Sequence, residues 1–557
     1  MRYYGNVPGY YVENFGCRAT QADGASMERQ FEELGLGRAP SPKHASVIVL
    51  NTCTVTTGAD QDARAAIRRV RRQNPDARIV VTGCYAQRAP EEIAALPGVD
   101  LVVGNSHKHR LAEIVHGVSP TISGFGRTSP SRAANQGASS GAALALAASR
   151  WVPLSALQSS GRGPNSDDQG LIFVSDIFAH TELLAAPVFD AANERTRPNL
   201  KVQDGCDNRC SFCVIPYVRG QSRSLAMERI VREVQTLIEA GYREVVLSGI
   251  NLGRWGRDLF SRHQTSGVSQ ATSDVDLRSE ASNLKRSLSS AYAGTATWGC
   301  PDERSSPAPA VATFREPETE SLTPQARRQT PRLADLIRAI LRETSLEKLR
   351  ISSVEPMDWS DELVGLLASS PRIAKHAHVP MQSGSDAVLR RMHRKYRPWH
   401  YRGKIEKIHA AMPGAAIGAD VMVGFPGETD SEFEATRQMI QDLPFTYLHV
   451  FTYSARPGTP AAQMTDQVPI HIARERNRIL RDLASEKKVA FMRTFVGKSL
   501  EAITLNVVER DGGGEFTEAL TDNYLKLRLK GQHVANRWMR VSISDVAGGM
   551  LVGHREA

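Results

Sequence analysis

Three cysteines, Cys206, Cys210 and Cys213, stand at Cys-x3-Cys-x2-Cys spacing, with an aromatic residue, Phe212, before the last. Thiolates this close repel one another and need a shared cation or cluster to neutralise them. A four-iron cube held by three cysteines keeps one iron free for a small ligand. A zinc site would take a fourth Cys or His nearby, and none follows before the next helical segment. The spacing therefore predicts an open iron–sulfur cluster.

Three further cysteines are spread along the first part of the chain. Cys17, Cys53 and Cys84 each come just after a strand-like segment: Tyr10 to Phe15, Ser46 to Leu50 and Arg78 to Val81. Leu101 to Gly104 reads as a fourth strand, Met27 to Leu34 as a helix, and Asp62 to Gln73 as a basic helix. Short apolar strands alternating with helices imply a parallel sheet. The carboxyl ends of such strands line one crevice where ligands bind. A single cysteine there is most simply a small buried hydrophobe, but three at equivalent strand ends predict a second cluster. Arg64, Arg68, Arg71 and Arg72 share one face of the basic helix. That face is either solvated or in contact with phosphates.

The segment after Cys213 reads as a helix, with Ile230, Val231, Val234, Leu237 and Ile238 at helical spacing. Ser224 is its expected N-cap and Gly241 its stop. Val245 to Leu247 is the next strand. Strand, cysteine loop, helix and strand make one βαβ unit of a barrel. The rhythm resumes in a helix at Leu333 to Arg342. Further strands are expected at Lys348 to Ser352, Ala377 to Pro380, Ala415 to Val423 and His449 to Tyr453. Six units, an incomplete (β/α)6 barrel, are expected. A charge-rich helix, His471 to Arg493, leads to an all-β end, where Leu525 to Lys530 alternates apolar and basic residues. A small antiparallel β-barrel with a basic face is a common nucleic-acid platform.

Two stretches break the pattern. Residues 119–170 are rich in Gly, Ala, Ser and Pro, with a short helix expected at Ala142 to Trp151. Residues 261–330 are rich in Ser, Arg, Thr and Pro and are expected to be disordered. Cys300 falls in the second and is read as a free thiol. The expected division is 1–118, an α/β domain; 119–170, a flexible insertion; 171–470, the barrel with its insertion 261–330; 471–495, a linker helix; and 496–557, the small β-barrel.

The whole chain has 557 residues, 41% of them apolar, and a formal net charge of +9. The balance suits a polyanionic partner, although a merely basic surface reads the same. Of only seven cysteines, the clustered ones suit metal rather than disulfides, which argues for a reducing compartment. Met1 to Asn14 lacks a basic stretch followed by an apolar one, so no secretory signal is expected, and no apolar run approaches the ~20 residues a membrane helix needs.

With both cysteine sets located, the chain resembles the radical S-adenosylmethionine (SAM) methylthiotransferases. The phrases Asn51-Thr52-Cys53-Thr54-Val55-Thr56, Gly83-Cys84-Tyr85-Ala86-Gln87, Gln203-Asp204-Gly205-Cys206, Ser248-Gly249-Ile250-Asn251-Leu252-Gly253 and Pro380-Met381-Gln382-Ser383-Gly384 carry the resemblance. They are most similar to the branch acting on N6-threonylcarbamoyladenosine beside the tRNA anticodon. Isopentenyladenosine in tRNA and a ribosomal-protein residue are the substrates of sister branches, and a zinc-dependent RNA-binding protein is the rival from another class. The resemblance implies two [4Fe–4S] clusters. Cys206, Cys210 and Cys213 would hold the one that cleaves SAM, and Cys17, Cys53 and Cys84 the one that delivers sulfur. It also implies a TRAM-type C-terminal barrel, a tRNA substrate, a flavodoxin or ferredoxin as electron donor, a cytoplasmic monomer and no membrane. Candidate SAM contacts are Ser248, Gly249, Asn251, Glu355, Gln382 and Gly424, each of which reads equally as a structural residue of the barrel rim.

Overall fold

The computed structural model describes residues 9–117, 170–180, 183, 196–259, 330–511 and 514–556. The helix expected at Ala142 to Trp151 and Cys300 lie outside them, as do the two expected insertions except Gly170 and Thr330.

The first sheet contains β1 (Gly9–Asn14), β2 (Gly37–Arg38), β3 (Val47–Thr52), β4 (Arg78–Gly83), β5 (Leu101–Gly104) and β6 (Leu171–Phe173). Their order is β2-β1-β3-β4-β5-β6, and every neighbouring pair is parallel. Ile48, Val49, Leu50, Ile79, Val80 and Val81 are wholly buried, as strands covered by helices on both faces must be. The last strand corrects the expected domain division. Leu171–Phe173 does not open the barrel. It pairs with Leu101–Val103, and Ile172 and Phe173 fill the apolar layers on the two faces of this sheet.

The helix after Cys17 is longer than expected, Arg18–Glu33 rather than Met27 to Leu34. Its first turns bury small and polar residues, Ala19, Thr20, Ala22, Asp23 and Gly24, instead of an apolar stripe. Periodicity could not reveal a helix whose packed face is polar.

The barrel strands are β7 (Asn199–Asp204), β8 (Arg223–Ser224), β9 (Glu244–Gly249), β10 (Lys348–Ile351), β11 (His376–His378), β12 (Ala416–Val423) and β13 (Tyr447–Thr452). One sheet runs β10-β9-β7-β8 and another β11-β12-β13. The single parallel bridge Leu349↔Ile373 joins β10 to the segment before β11. Leaving aside the two-residue antiparallel β8, this gives the six expected parallel strands. Helices Met227–Glu239, Leu333–Glu343 and Pro398–Ala411 cover one face with Ile230, Val234, Ile337, Ile340, Ile405 and Ile408. Ser224 is not the cap of the first of these. The helix starts at Met227 with Ala226 at the cap, and the Ser224 hydroxyl accepts the Gly256 N–H at 2.8 Å.

Helix Ile470–Arg493 leads to β14 (Ser499–Asp511), β15 (Gly514–Thr521), β16 (Lys526–Lys530), β17 (Trp538–Ala547) and β18 (Met550–Arg555), closed in the order β14-β15-β16-β18-β17. Leu527 and Leu529 point inward while Lys526 and Lys530 are exposed. The barrel is not wholly antiparallel: β16 and β18 run parallel. The chain leaves β16, builds β17 against β14, and returns through a hairpin to close the gap.

Candidate active site

The Cys206 loop starts where β7 ends. Gly205 adopts φ +72°, and a Cβ there would lie 1.9 Å from the Gln221 carbonyl oxygen. Only glycine fits such a turn against backbone. Gln203 ties the loop down: its amide donates to the Gly205 carbonyl at 2.8 Å and accepts the Asn251 N–H at 2.7 Å. A Gly205→Ala variant is expected to lose about 1–3 kcal/mol from conformation alone, with the clash added. Thermal unfolding and iron content together would measure this.

N–H groups reach the sulfurs from several segments. Asn208 N lies 3.4 Å and Asn251 Nδ2 3.6 Å from Cys206 Sγ, and Arg394 Nη1 lies 3.2 Å from Cys210 Sγ. Burial, then Cys210 and Cys206, push the Cys213 thiol up to about 12. Burial raises Cys206 as well, against the two asparagine contacts. Without a cation these thiols hold their protons, so metal ligation must release them. Soft donors grouped in one loop, with N–H groups aimed at the sulfur, fit an iron–sulfur cluster.

The candidate SAM contacts divide. Asn251 touches Cys206, and Glu355 lines a small cavity with Cys210, Asn208 and Arg394, paired to the Arg394 guanidinium. Ser248 is buried with its hydroxyl unpartnered, and Gly249 packs on Gln203. Gln382 adopts φ +64° and donates its N–H to the Asp420 carbonyl at 2.8 Å. A Cβ at Gly424 would lie 2.5 Å from Ala473 Cβ on the long helix, so close packing accounts for that glycine. Its neighbour Phe425 stands edge-on to Phe212 at 6.4 Å.

The other three cysteines converge. A Cβ on Gly16, beside Cys17, would lie 3.0 Å from Cys53 Sγ. Cys53 is pushed up to about 12 by burial, then by Cys84, with Cys17 adding to both Cys53 and Cys84. Cys84 packs on Val214 and Val218, and Asn105 donates to Cys84 Sγ at 3.6 Å and to the Val218 carbonyl at 2.7 Å. Helix Ile215–Arg219, which begins two residues beyond Cys213, therefore lies against both cysteine groups.

Five charged side chains that sequence reasoning gave no role sit beneath this meeting point. Asp23, Lys108, Lys201, Asp204 and Arg219 are buried together. Lys108 Nζ lies 2.9 Å from Asp23, Lys201 Nζ 2.9 Å from Asp204, and Arg219 Nη1 3.1 Å from Asp23 and 3.0 Å from Asp204. Three cations face two anions, and Arg219 and Lys108 both act on Cys84. An excess buried cation beside three thiols fits an anionic group held there. Asp204 and Arg219 flank the cysteine motif, but nothing local marks them as buried. On the basic helix, Arg64 pairs with Glu92, Arg69 with Glu13 and Arg71 with Asp100. Much of that charge is thus used within the protein.

Residues 200–252 and 321–440 match the radical SAM superfamily, and residues 9–104 match an uncharacterized protein family, UPF0004. The radical SAM match brings with it a [4Fe–4S] cluster and SAM. The chain is 31% identical to the threonylcarbamoyladenosine tRNA methylthiotransferase of Bacillus subtilis, over 93% of this chain and 89% of that protein. It is 30% identical to the Aquifex aeolicus protein of the same name, over 95% and 99%. It is 28% identical to the tRNA-2-methylthio-N(6)-dimethylallyladenosine synthase of Erythrobacter litoralis, over 90% and 87%. The chain belongs to the radical SAM methylthiotransferase family. No helix among the described residues is long and apolar enough to cross a membrane.

Proposed function

We propose that this chain adds a methylthio group to C2 of N6-threonylcarbamoyladenosine at tRNA position 37. The observation that carries the reading is the meeting of two cysteine groups on one short helix, Ile215–Arg219. Cys206, Cys210 and Cys213 hold the cluster that binds SAM, and Cys17, Cys53 and Cys84 hold a second [4Fe–4S] cluster. Bound, these groups supply a radical able to break an unactivated adenine C–H bond and an iron-bound sulfur to replace the hydrogen. The chain's own residues orient and insulate that chemistry. Asn251 and Arg394 donate to cysteine sulfur, and Val214 and Val218 keep water from Cys84. Asn251, Ser248 and Glu355 face SAM in this reading.

The choice of base modification draws support from the relatives named for it and from the inside of the barrel. His378, Asp420 and His449 stand on the strand face opposite the apolar core, whereas Arg350 and His376 are taken up by Glu244, the Thr521 and Asp522 carbonyls, Tyr447 and Tyr524. Such a polar face suits the charged, hydroxylated threonylcarbamoyl group better than a branched hydrocarbon. The basic C-terminal barrel, about 496–557, contacts the tRNA, and a flavodoxin or ferredoxin supplies electrons to the cytoplasmic, monomeric enzyme. The test is mass spectrometry of tRNA nucleosides from a deletion strain. The methylthio form of threonylcarbamoyladenosine should vanish while the dimethylallyl series stays intact. The reverse pattern would sink the substrate assignment.

A further inference from the structure

The barrel strands carry another set of ligand-type side chains, none of them cysteine. His378 ends β11, Asp420 stands in β12 and His449 in β13. The strands are adjacent and in register, with His378 opposite Gly418 and Asp420 opposite His449. Ile417, Ala419 and Val421 belong to the apolar core, so alternation turns Asp420 toward the barrel lumen. One ligand atom from each of His378, Asp420 and His449 lies within 4.8 Å of the other two.

The contact between two of them is unusual. His378 Nε2 is 3.2 Å from Asp420 Oδ1, yet Nε2 is buried and makes no aligned hydrogen bond. The two atoms are close with no hydrogen bond aligned between them. Two ligands of one tetrahedral cation, each about 2.0–2.1 Å from it, stand about 3.4 Å apart. Spacing and misalignment both fit donors converging on a common point. Tyr447 stands edge-on to His378 and His449, with ring centroids 5.8 and 5.4 Å away, and so fixes both imidazoles. The Tyr447 hydroxyl is itself held 2.7 Å from His376 Nε2. Of the guanidiniums acting on this layer, Arg350 is neutralised by Glu244, and Arg18, which acts on His449, donates to the Tyr524 hydroxyl at 3.2 Å.

We propose that His378, Asp420 and His449 bind one divalent transition-metal ion whose remaining positions open into the lumen. Two imidazoles and a carboxylate suit zinc, manganese or iron(II). The open positions take an oxygen ligand, and the carboxylate of the threonylcarbamoyl group is the one present in the substrate. That ligand assignment rests on the function proposed above; the ion site does not.

The test uses the full chain with its clusters reconstituted and in the resting state. Manganese(II) is titrated in and the free ion counted by electron paramagnetic resonance, because this hard ion competes poorly for thiolates. One ion per chain should bind, and His449→Ala and Asp420→Asn should each weaken it about tenfold or more. His449 is exposed, so its truncation spares the fold, and unchanged cluster absorbance would verify that. Failure of the wild type to retain either manganese or zinc, or equal retention by both variants, overturns the site. Added N6-threonylcarbamoyladenosine should alter the bound-manganese spectrum and dimethylallyladenosine should not. No change with either overturns the carboxylate assignment, independently of the tRNA nucleoside result.

Discussion

A Cys84→Ala variant is expected to cleave SAM and yet transfer no methylthio group, with iron falling from about eight to about four per chain. Cys84 is buried, and its thiol shares electrostatic interactions with Cys53 and Cys17. Removing one small sulfur beneath Val214 and Val218 leaves a modest void, worth about 1 kcal/mol, so the fold should persist. The Cys206 loop keeps its own anchors, the Gln203 amide and the Arg394 and Asn251 contacts. Iron and sulfide analysis, 5′-deoxyadenosine release and nucleoside mass spectrometry check the three parts. Retained methylthio transfer would remove Cys84 from the sulfur-bearing site. Loss of SAM cleavage alongside it would mean the two cysteine groups do not act separately.

The second large effect lies in the buried ion group. Asp204→Asn should destabilise the chain by about 3–5 kcal/mol, the usual consequence of leaving a buried charge without its partner. Asp204 and Asp23 each face Lys108, Lys201 and Arg219. Losing Asp204 leaves three buried cations to Asp23 alone. Urea unfolding measures the loss, and a change under 1 kcal/mol would count against the network. Acid should act in the same direction. Burial pushes the Asp23 carboxyl up, but Lys108, Lys201 and Arg219 outweigh it and hold the group at about 2. A carboxylate below its ordinary range of about 3.9 contributes fully above that pH. Its contribution is lost as pH falls toward 2. The Asp204 carboxyl is held down by the same cations against its own burial. Stability should therefore decline below about pH 4, with a shallower acid limb in Asp204→Asn.

Apolar strands such as Ser46 to Leu50 and Ala415 to Val423 are readable to within two residues, because buried parallel strands are continuous apolar runs. The Arg18–Glu33 helix was half missed because Asp23, Gly24 and Ala19 pack where an aliphatic stripe usually does. Leu171–Phe173 belongs to the first sheet and not to the barrel that follows it in sequence, because its partner β5 lies on the far side of the segment 118–169. The parallel β16–β18 pair was equally invisible, since pairing direction follows from how the barrel closes and not from either strand alone.

Local spacing alone determined the chemistry of Cys206, Cys210 and Cys213, since a loop of a few residues has little freedom in where its thiols go. It also determined the alternation of barrel strands and the two-faced Lys526–Lys530 strand. Only the tertiary structure decided that Cys17, Cys53 and Cys84 face one another and share a helix with the other group. It alone buried Asp23 against Lys201 and Arg219, 178 and 196 positions away, and aligned His378, Asp420 and His449. Side chains so far apart meet only when whole sheets pack, and no stretch of sequence encodes that distance by itself.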